Sequence, residues 1–147
     1  MAYLFPSPID LATLIARVES PPYGGVASFL GQVRDHHDGR TVHRLEYSAY
    51  GPMAEEECAR IVAEAETRWP VRVALAHRIG ALEIGDTAVA VAAAGAHRDE
   101  AFAACRFVIE EVKRRVPVWK KEFYADGATW VGSEADYQRE IGRLPAN

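Results

Sequence analysis

The stretch TAVAVAAAGAHRDEAFAACRFVIEEVKRRVPVWKKE, residues 87–122, changes its hydrophobic period twice, and those changes decide the fold. Its first ten residues are almost wholly apolar, the pattern of a strand covered on both faces in the middle of a sheet. From about Arg98 to Arg115 the apolar residues Ala101, Phe102, Cys105, Val108, Ile109 and Val112 recur at helical spacing. Pro117 forbids continuation of that helix. VWKKEFYA (118–125) then reads as a strand, ADGA (125–128) as a turn and TWV (129–131) as a return strand.

The flanks extend the same alternation. VRVALAHRIG (71–80) places Val71, Val73, Leu75, His77 and Ile79 on one side of a strand and Arg72, Ala74, Ala76 and Arg78 on the other, which predicts one buried face. GALEIGD (80–86) reads as a link. Met53, Cys58, Ile61, Val62 and Ala65 have helical spacing between a chain break at Gly51-Pro52 and Trp69-Pro70. VASFLGQVR (26–34) and TVHRLEYSAY (41–50) read as strands paired in a long hairpin across the polar turn or loop DHHDGR. Ser7-Pro8 followed by Ile9, Leu11, Leu14, Ile15 and Val18 predicts a capped amphipathic helix, ended by Ser20-Pro21-Pro22. SEADYQREIGRL (133–144) suggests a short final helix. The expectation is a single α+β domain over residues 1–147, with two main helices packed on a mixed, mostly antiparallel sheet.

Composition narrows the function. With 147 residues, 49% hydrophobic and 26% charged, the chain can bury a core without disulfides or metal. A net charge of −4 argues against nucleic-acid binding through bulk charge. Cys58 and Cys105 form no CxxC pair and fit a reducing cytoplasm. MAYLFPSPIDLA lacks the basic start and long apolar run of a signal peptide, and no stretch has membrane-spanning length, so a cytoplasmic location is expected.

Against this acidic background, EEVKRRVPVWKKE (110–122) gathers Lys113, Arg114, Arg115, Lys120 and Lys121 around one bend. Cations in a last helical turn complement the dipole, which is their ordinary explanation. The strand beyond Pro117 nevertheless carries one lysine toward apolar surroundings, and a desolvated lysine can act as base or nucleophile. Lys120 shares a side with Val118, while Lys121 shares that of Trp119, whose ring is expected in the core or a pocket wall. Gly95-Ala96-His97-Arg98 opens the same helix. It reads either as a cap with a solvated charge or as a phosphate seat made of free N–H groups, His97 and Arg98. Arg34 is a third cationic point. His36 and His37 lack the companions of a metal site, His43 and His77 read as packed histidines, and both cysteines read as core.

Taken together, GGVASFLGQVRDHHDGRTVHRLEYSAYGPMAEEE, HRIGALEIGD, AHRDEAFAACRFVIEEVKRRVPVWKKE and DGATWV resemble the large, catalytic subunit of molybdopterin synthase, over residues 24–131 and in that family's order. The resemblance implies an α/β hammerhead-like fold. It implies transfer of two sulfurs to cyclic pyranopterin monophosphate, in two rounds, from the C-terminal Gly-Gly thiocarboxylate of a small ubiquitin-like partner. A central homodimer would carry one small subunit at each end, as a heterotetramer, with no metal or other cofactor.

Carried over residue by residue, the resemblance makes Lys113 and Lys120 catalytic. His97 and Arg98 match its substrate-binding pair, Gln32, Val33 and Arg34 the strand end that closes the pocket, and Lys121 and Glu122 the segment beside Lys120. In some relatives an arginine from the neighbouring subunit's C-terminal region joins the site; here Glu134 stands near that place, with Arg139 and Arg143 further on. SAYGPM (48–53) resembles a partner-contacting region. Two other readings fit the residues alone: a non-catalytic dimeric adaptor gripping an acidic peptide tail, and a phosphate-ester transferase using His97 as acid and base.

Overall fold

The computed structural model describes residues 2–125 and 127–133. In chain order the elements are β1 (Leu4–Phe5), α1 (Leu11–Val18), β2 (Gly25–Gln32), β3 (His36–His37), β4 (Arg40–Thr41), β5 (Arg44–Ala49), α2 (Gly51–Arg68), β6 (Val71–Arg78), β7 (Gly80–Glu83), β8 (Thr87–Gly95), α3 (Arg98–Arg115), β9 (Val118–Tyr124) and β10 (Gly127–Ser133). The final-helix expectation, with Glu134, Arg139 and Arg143, lies outside the described residues.

β8 is the central strand that its uniform apolarity predicts. It lies between β6 and β2 in a sheet ordered β1-β6-β8-β2, antiparallel to both neighbours. Only its first residue is not buried. Val89, Val91 and Ala93 face α2 and α3, and Ala90, Ala92 and Ala94 face α1 through Leu14 and Val18. Alanine on that second face lets the eight-residue α1 sit close to the sheet. β6 is therefore buried on both faces, not one: Val71, Val73 and Leu75 join the α2–α3 core, while Ala74 and Ala76 lie under α1. Each large side chain sealed in this way contributes about 1.5–3 kcal/mol of transfer free energy.

A second sheet, ordered β10-β9-β5-β7, is wholly antiparallel. The long hairpin expected between residues 26–34 and 41–50 does not form. β2 pairs with β8, and β5 pairs with β7 and β9. Asp38 and Gly39, at φ 50° and 75°, make the tight β3–β4 turn that leads the chain from one sheet to the other. Alternation marks a strand but not its partner, so sequence could not separate these pairings. The link at 80–86 likewise contains β7.

Helix boundaries follow local chemistry. Asp10, not Ser7, caps α1, accepting from the Ala12 N–H at 3.3 Å and from the Thr13 hydroxyl at 2.7 Å. Gly51-Pro52 opens α2 rather than breaking the chain, since proline suits the first helical turn. Both cysteines are core residues, as expected, and burial pushes the Cys58 thiol up to about 12 and that of Cys105 to about 11. Ala104, not Phe102, completes the buried stripe of α3; Phe102 is 64% exposed. Met53 and His43 are also exposed. No helix among the described residues is long and apolar enough to cross a membrane.

Candidate active site

The end of α3 is built by three valines. Val112, Val116 and Val118 are all buried, and the Val118 N–H donates to the Val116 carbonyl at 2.9 Å. The chain passes from helix to β9 with no slack. Lys113, in the last helical turn, and Lys120, two residues beyond Val118 on the same strand face, therefore line one cleft. Its other walls are Tyr47 and His77, and it is a shallow cleft partly open to solvent. Lys120 pairs in register with Tyr47, whose ring meets His77 edge-on at 5.2 Å. The chain holds three lysines, all between positions 113 and 121; every other basic residue of its 17 is arginine. Arginine cannot release a proton at ordinary pH, whereas lysine can. The amine side chains are thus all clustered around this one bend.

His77 is a packed histidine, as its strand predicts, yet it is also a cleft wall. Its Nδ1–H donates to the Arg78 carbonyl at 2.8 Å, which leaves Nε2 as an acceptor. Burial, and to a smaller extent the Lys113 ammonium, drives its pKa down to about 4. Since the folded value lies below the ordinary 6.5, the unfolded chain takes up this proton first, and the stability His77 contributes is lost as pH falls from 6.5 toward 4. Urea unfolding at pH 7 and pH 4.5 should show the wild type losing about 2–3 kcal/mol more than His77→Gln. Equal losses would show that His77 carries no such shift.

Beneath Lys120 lies Glu122, only 2% exposed. Its Oε1 contacts His37 Nδ1 and lies 3.9 Å from Lys120 Nζ. The Tyr124 hydroxyl also bonds to it; burial first, and then the Glu122 charge, pushes that phenol up. Lys121 projects to the opposite strand face, where its Nζ lies 5.4 Å from the Phe123 ring centroid. Trp119, on that face too, is 38% exposed and belongs neither to the core nor to the cleft wall. Arg114 pairs with Glu111, and Arg115 spans Glu57 and Glu64 on α2, each at 2.6 Å. Despite burial, the Arg115 and Arg60 partners hold the Glu57 carboxyl below its usual range. Of the five clustered cations, Arg115 ties α3 to α2, Arg114 pairs within α3, two lysines face the cleft and one lies behind it.

His97 and Arg98 stand at the other end of α3, about 22 Å along the helix from Lys113. Glu100 folds back to accept from the His97 N–H at 2.5 Å. Gly95 makes room for this, because a Cβ there would meet Glu100 Cγ at 2.6 Å. The helix start, with Gly24, Gly25, Ala96 and Asp99, borders a second and wider concavity of ≈ 870 Å³. Within one chain, then, the His-Arg pair and the lysine pair border two separate concavities.

Gln32, Val33 and Arg34 do not line the lysine cleft; the end of β2 lies on the same side of the sheet system, one strand removed from His77. Gly31, Val89 and His77 form one row across three strands, which places Gly31 about 10 Å from His77. Gln32 and Arg34 follow Gly31 and are exposed, whereas Val33 is buried against Val42, Leu45 and Leu82. Val33 and Glu122 thus support the site from below. Tyr47 and His37 escape sequence reading, because alternation places them on a face without revealing what that face borders.

The model of the MoaE protein family matches residues 4–115. The chain belongs to the MoaE protein family. Among MoaE relatives, molybdopterin synthase catalytic subunit 1 of Mycobacterium tuberculosis is 48% identical over 126 residues, covering 85% of this chain and 86% of that protein. The crystal structure of molybdopterin synthase from Staphylococcus aureus aligns with a TM-score of 0.85 at 38% identity, over 89% of this chain and 96% of that one. The MoaE fold also matches a Helicobacter pylori chain, solved as a complex of subunits 1 and 2 of molybdopterin-converting factor. That match has a TM-score of 0.71 at 20% identity, covers 88% and 89% of the two chains, and concerns the fold.

Proposed function

We propose that this chain is the sulfur-transferring subunit of a molybdopterin synthase. The observation that carries the reading is the convergence of Lys113 and Lys120 on one cleft in a MoaE-family chain. The sulfur donor is the thiocarboxylate tail of a small ubiquitin-like partner, and the acceptor is cyclic pyranopterin monophosphate. Thiocarboxylate, phosphate and the carboxylate released are all anions, and cations in a confined cleft are worth more than in bulk water. Lys113 pairs with the thiocarboxylate and directs its sulfur, already a good nucleophile, at the pterin side chain. Water then cleaves the acyl–sulfur bond, leaving sulfur on the pterin and a carboxylate on the partner. Lys120 moves the protons that open the cyclic phosphate and dehydrate the intermediate. Exposed Tyr50 and Met53, which follow β5 at the start of α2, offer the partner an apolar landing near the cleft.

A homodimer supplies the phosphate seat. β2 is the outer strand of its sheet and exposes Val26, Phe29 and Leu30. α1 packs on β6 and β8, α3 packs on β2, and no described strand pairs with the outer edge of β2. Such an apolar edge invites a second copy, and two-fold pairing runs the strands antiparallel. The Gly25 end of one β2 then faces the Gln32 end of the other, which brings His97 and Arg98 of one copy toward Arg34 and the lysine cleft of its neighbour. The function is tested by mixing the chain with thiocarboxylated carrier and cyclic pyranopterin monophosphate and following the pterin by mass spectrometry. Gain of two sulfurs is expected. A chain that binds carrier while no sulfur reaches the pterin would be the adaptor instead.

A further inference from the structure

We propose that His37 is a positioning residue for Lys120, acting through Glu122; the inference rests on the catalytic role assigned to Lys120 above. The β3–β4 hairpin that carries His37 is fixed to β9 by two contacts. The His43 N–H donates to the Phe123 carbonyl at 2.8 Å, and the Arg40 guanidinium lies 3.7 Å from the Tyr124 ring centroid. His37 is thereby inserted beneath the strand, buried, with Nδ1 against Glu122 Oε1.

That same oxygen faces the Lys120 ammonium at 3.9 Å, beyond hydrogen-bond range. One carboxylate oxygen therefore has a tight partner, the imidazole, and a loose one, the ammonium. The other ionisable groups around it are Asp38, whose Oδ2 lies 3.6 Å from His37 Nε2, Arg40 and Tyr124, with Lys113 and His77 lining the cleft beside Lys120. The arrangement keeps a negative charge close enough to hold Lys120 in place, while the contact with His37 keeps the ammonium from being drawn under the strand. Without the imidazole, Glu122 is a buried carboxylate left with the Tyr124 hydroxyl but one donor fewer, and the Lys120 ammonium at 3.9 Å is a cation able to serve it. The lysine would then leave the cleft.

The small lysine count makes this measurable without turnover. The chain is treated with a limiting amount of an amine-acetylating ester, and the ratio of acetylated Lys120 to acetylated Lys121 is read by mass spectrometry. In His37→Ala the ratio should fall about fivefold, the equivalent of one ion pair newly made. In His37→Asn, whose amide N–H stands where Nδ1–H stood, it should return to within about twofold of wild type. In the sulfur-transfer assay, kcat should follow the same order while KM for the carrier stays constant. An unchanged ratio in His37→Ala, or failure of His37→Asn to restore it, overturns the proposal. Should His37→Ala not fold, Glu122→Gln serves in its place: it removes the charge and should raise the ratio, and no rise is equally fatal. A wild-type chain that transfers no sulfur sinks the functional reading instead and leaves the labelling ratio interpretable.

Discussion

Lys120→Ala lowers kcat for dithiolene formation by roughly 10²–10⁴-fold, the range for loss of a positioned proton-transfer group, while carrier binding stays near wild type. The expectation follows from where the amine sits. It lines the cleft from the strand face it shares with Val118, and no arginine lines that cleft to substitute for it. Lys120→Arg is a sharper test, because it keeps the charge and removes the ability to exchange a proton. If Lys120→Arg retained full rate, the lysine would be an electrostatic contact only, and proton transfer would have to be assigned elsewhere. Carrier binding, measured by titration calorimetry on each variant, separates loss of chemistry from loss of docking.

Two inactive variants recover activity when mixed. Lys120→Ala removes one half-site and Arg98→Ala the other. If each active centre combines the lysines of one copy with the His-Arg pair of its neighbour, a mixed dimer contains one intact centre and one doubly damaged centre. Random reassortment makes half of the dimers mixed, so mixing equal amounts should restore about one quarter of wild-type activity. A site closed within a single chain would give no recovery at all, whatever the mixing ratio. The geometric reason for expecting recovery is that the two clusters lie at opposite ends of one 18-residue helix, too far apart to hold one small substrate.

The elements that announced themselves in the sequence did so through period. The apolar run of β8, the stripe of α3 and the proline that ends it are local signals, and the structure follows them closely. What alternation could not convey is partnership. β2 and β5 both look like strands, and only the tertiary fold assigns them to different sheets. The same limit applies to the site. Lys113 and Lys120 stood out as a cationic cluster around Pro117, but only the family resemblance singled them out from the other cations there. His37 reaches Glu122 across 85 positions through a hairpin whose turn could be recognised, but whose docking onto β9 could not. Phe102 and Trp119 misled for the opposite reason, since large apolar side chains are counted inward by default, whereas both lie on faces that the described residues leave uncovered.

α3 also acts as a ruler. Its first turn carries the His-Arg pair, its last turn carries Lys113, and Arg115 fastens that last turn to α2. A residue inserted midway would swing one end about 100° relative to the other and lengthen the span by about 1.5 Å. On the proposed dimeric reading, both clusters would then be misaimed in every copy at once. On that reading the number of residues in this helix, more than the identity of most of them, sets the aim of the two clusters.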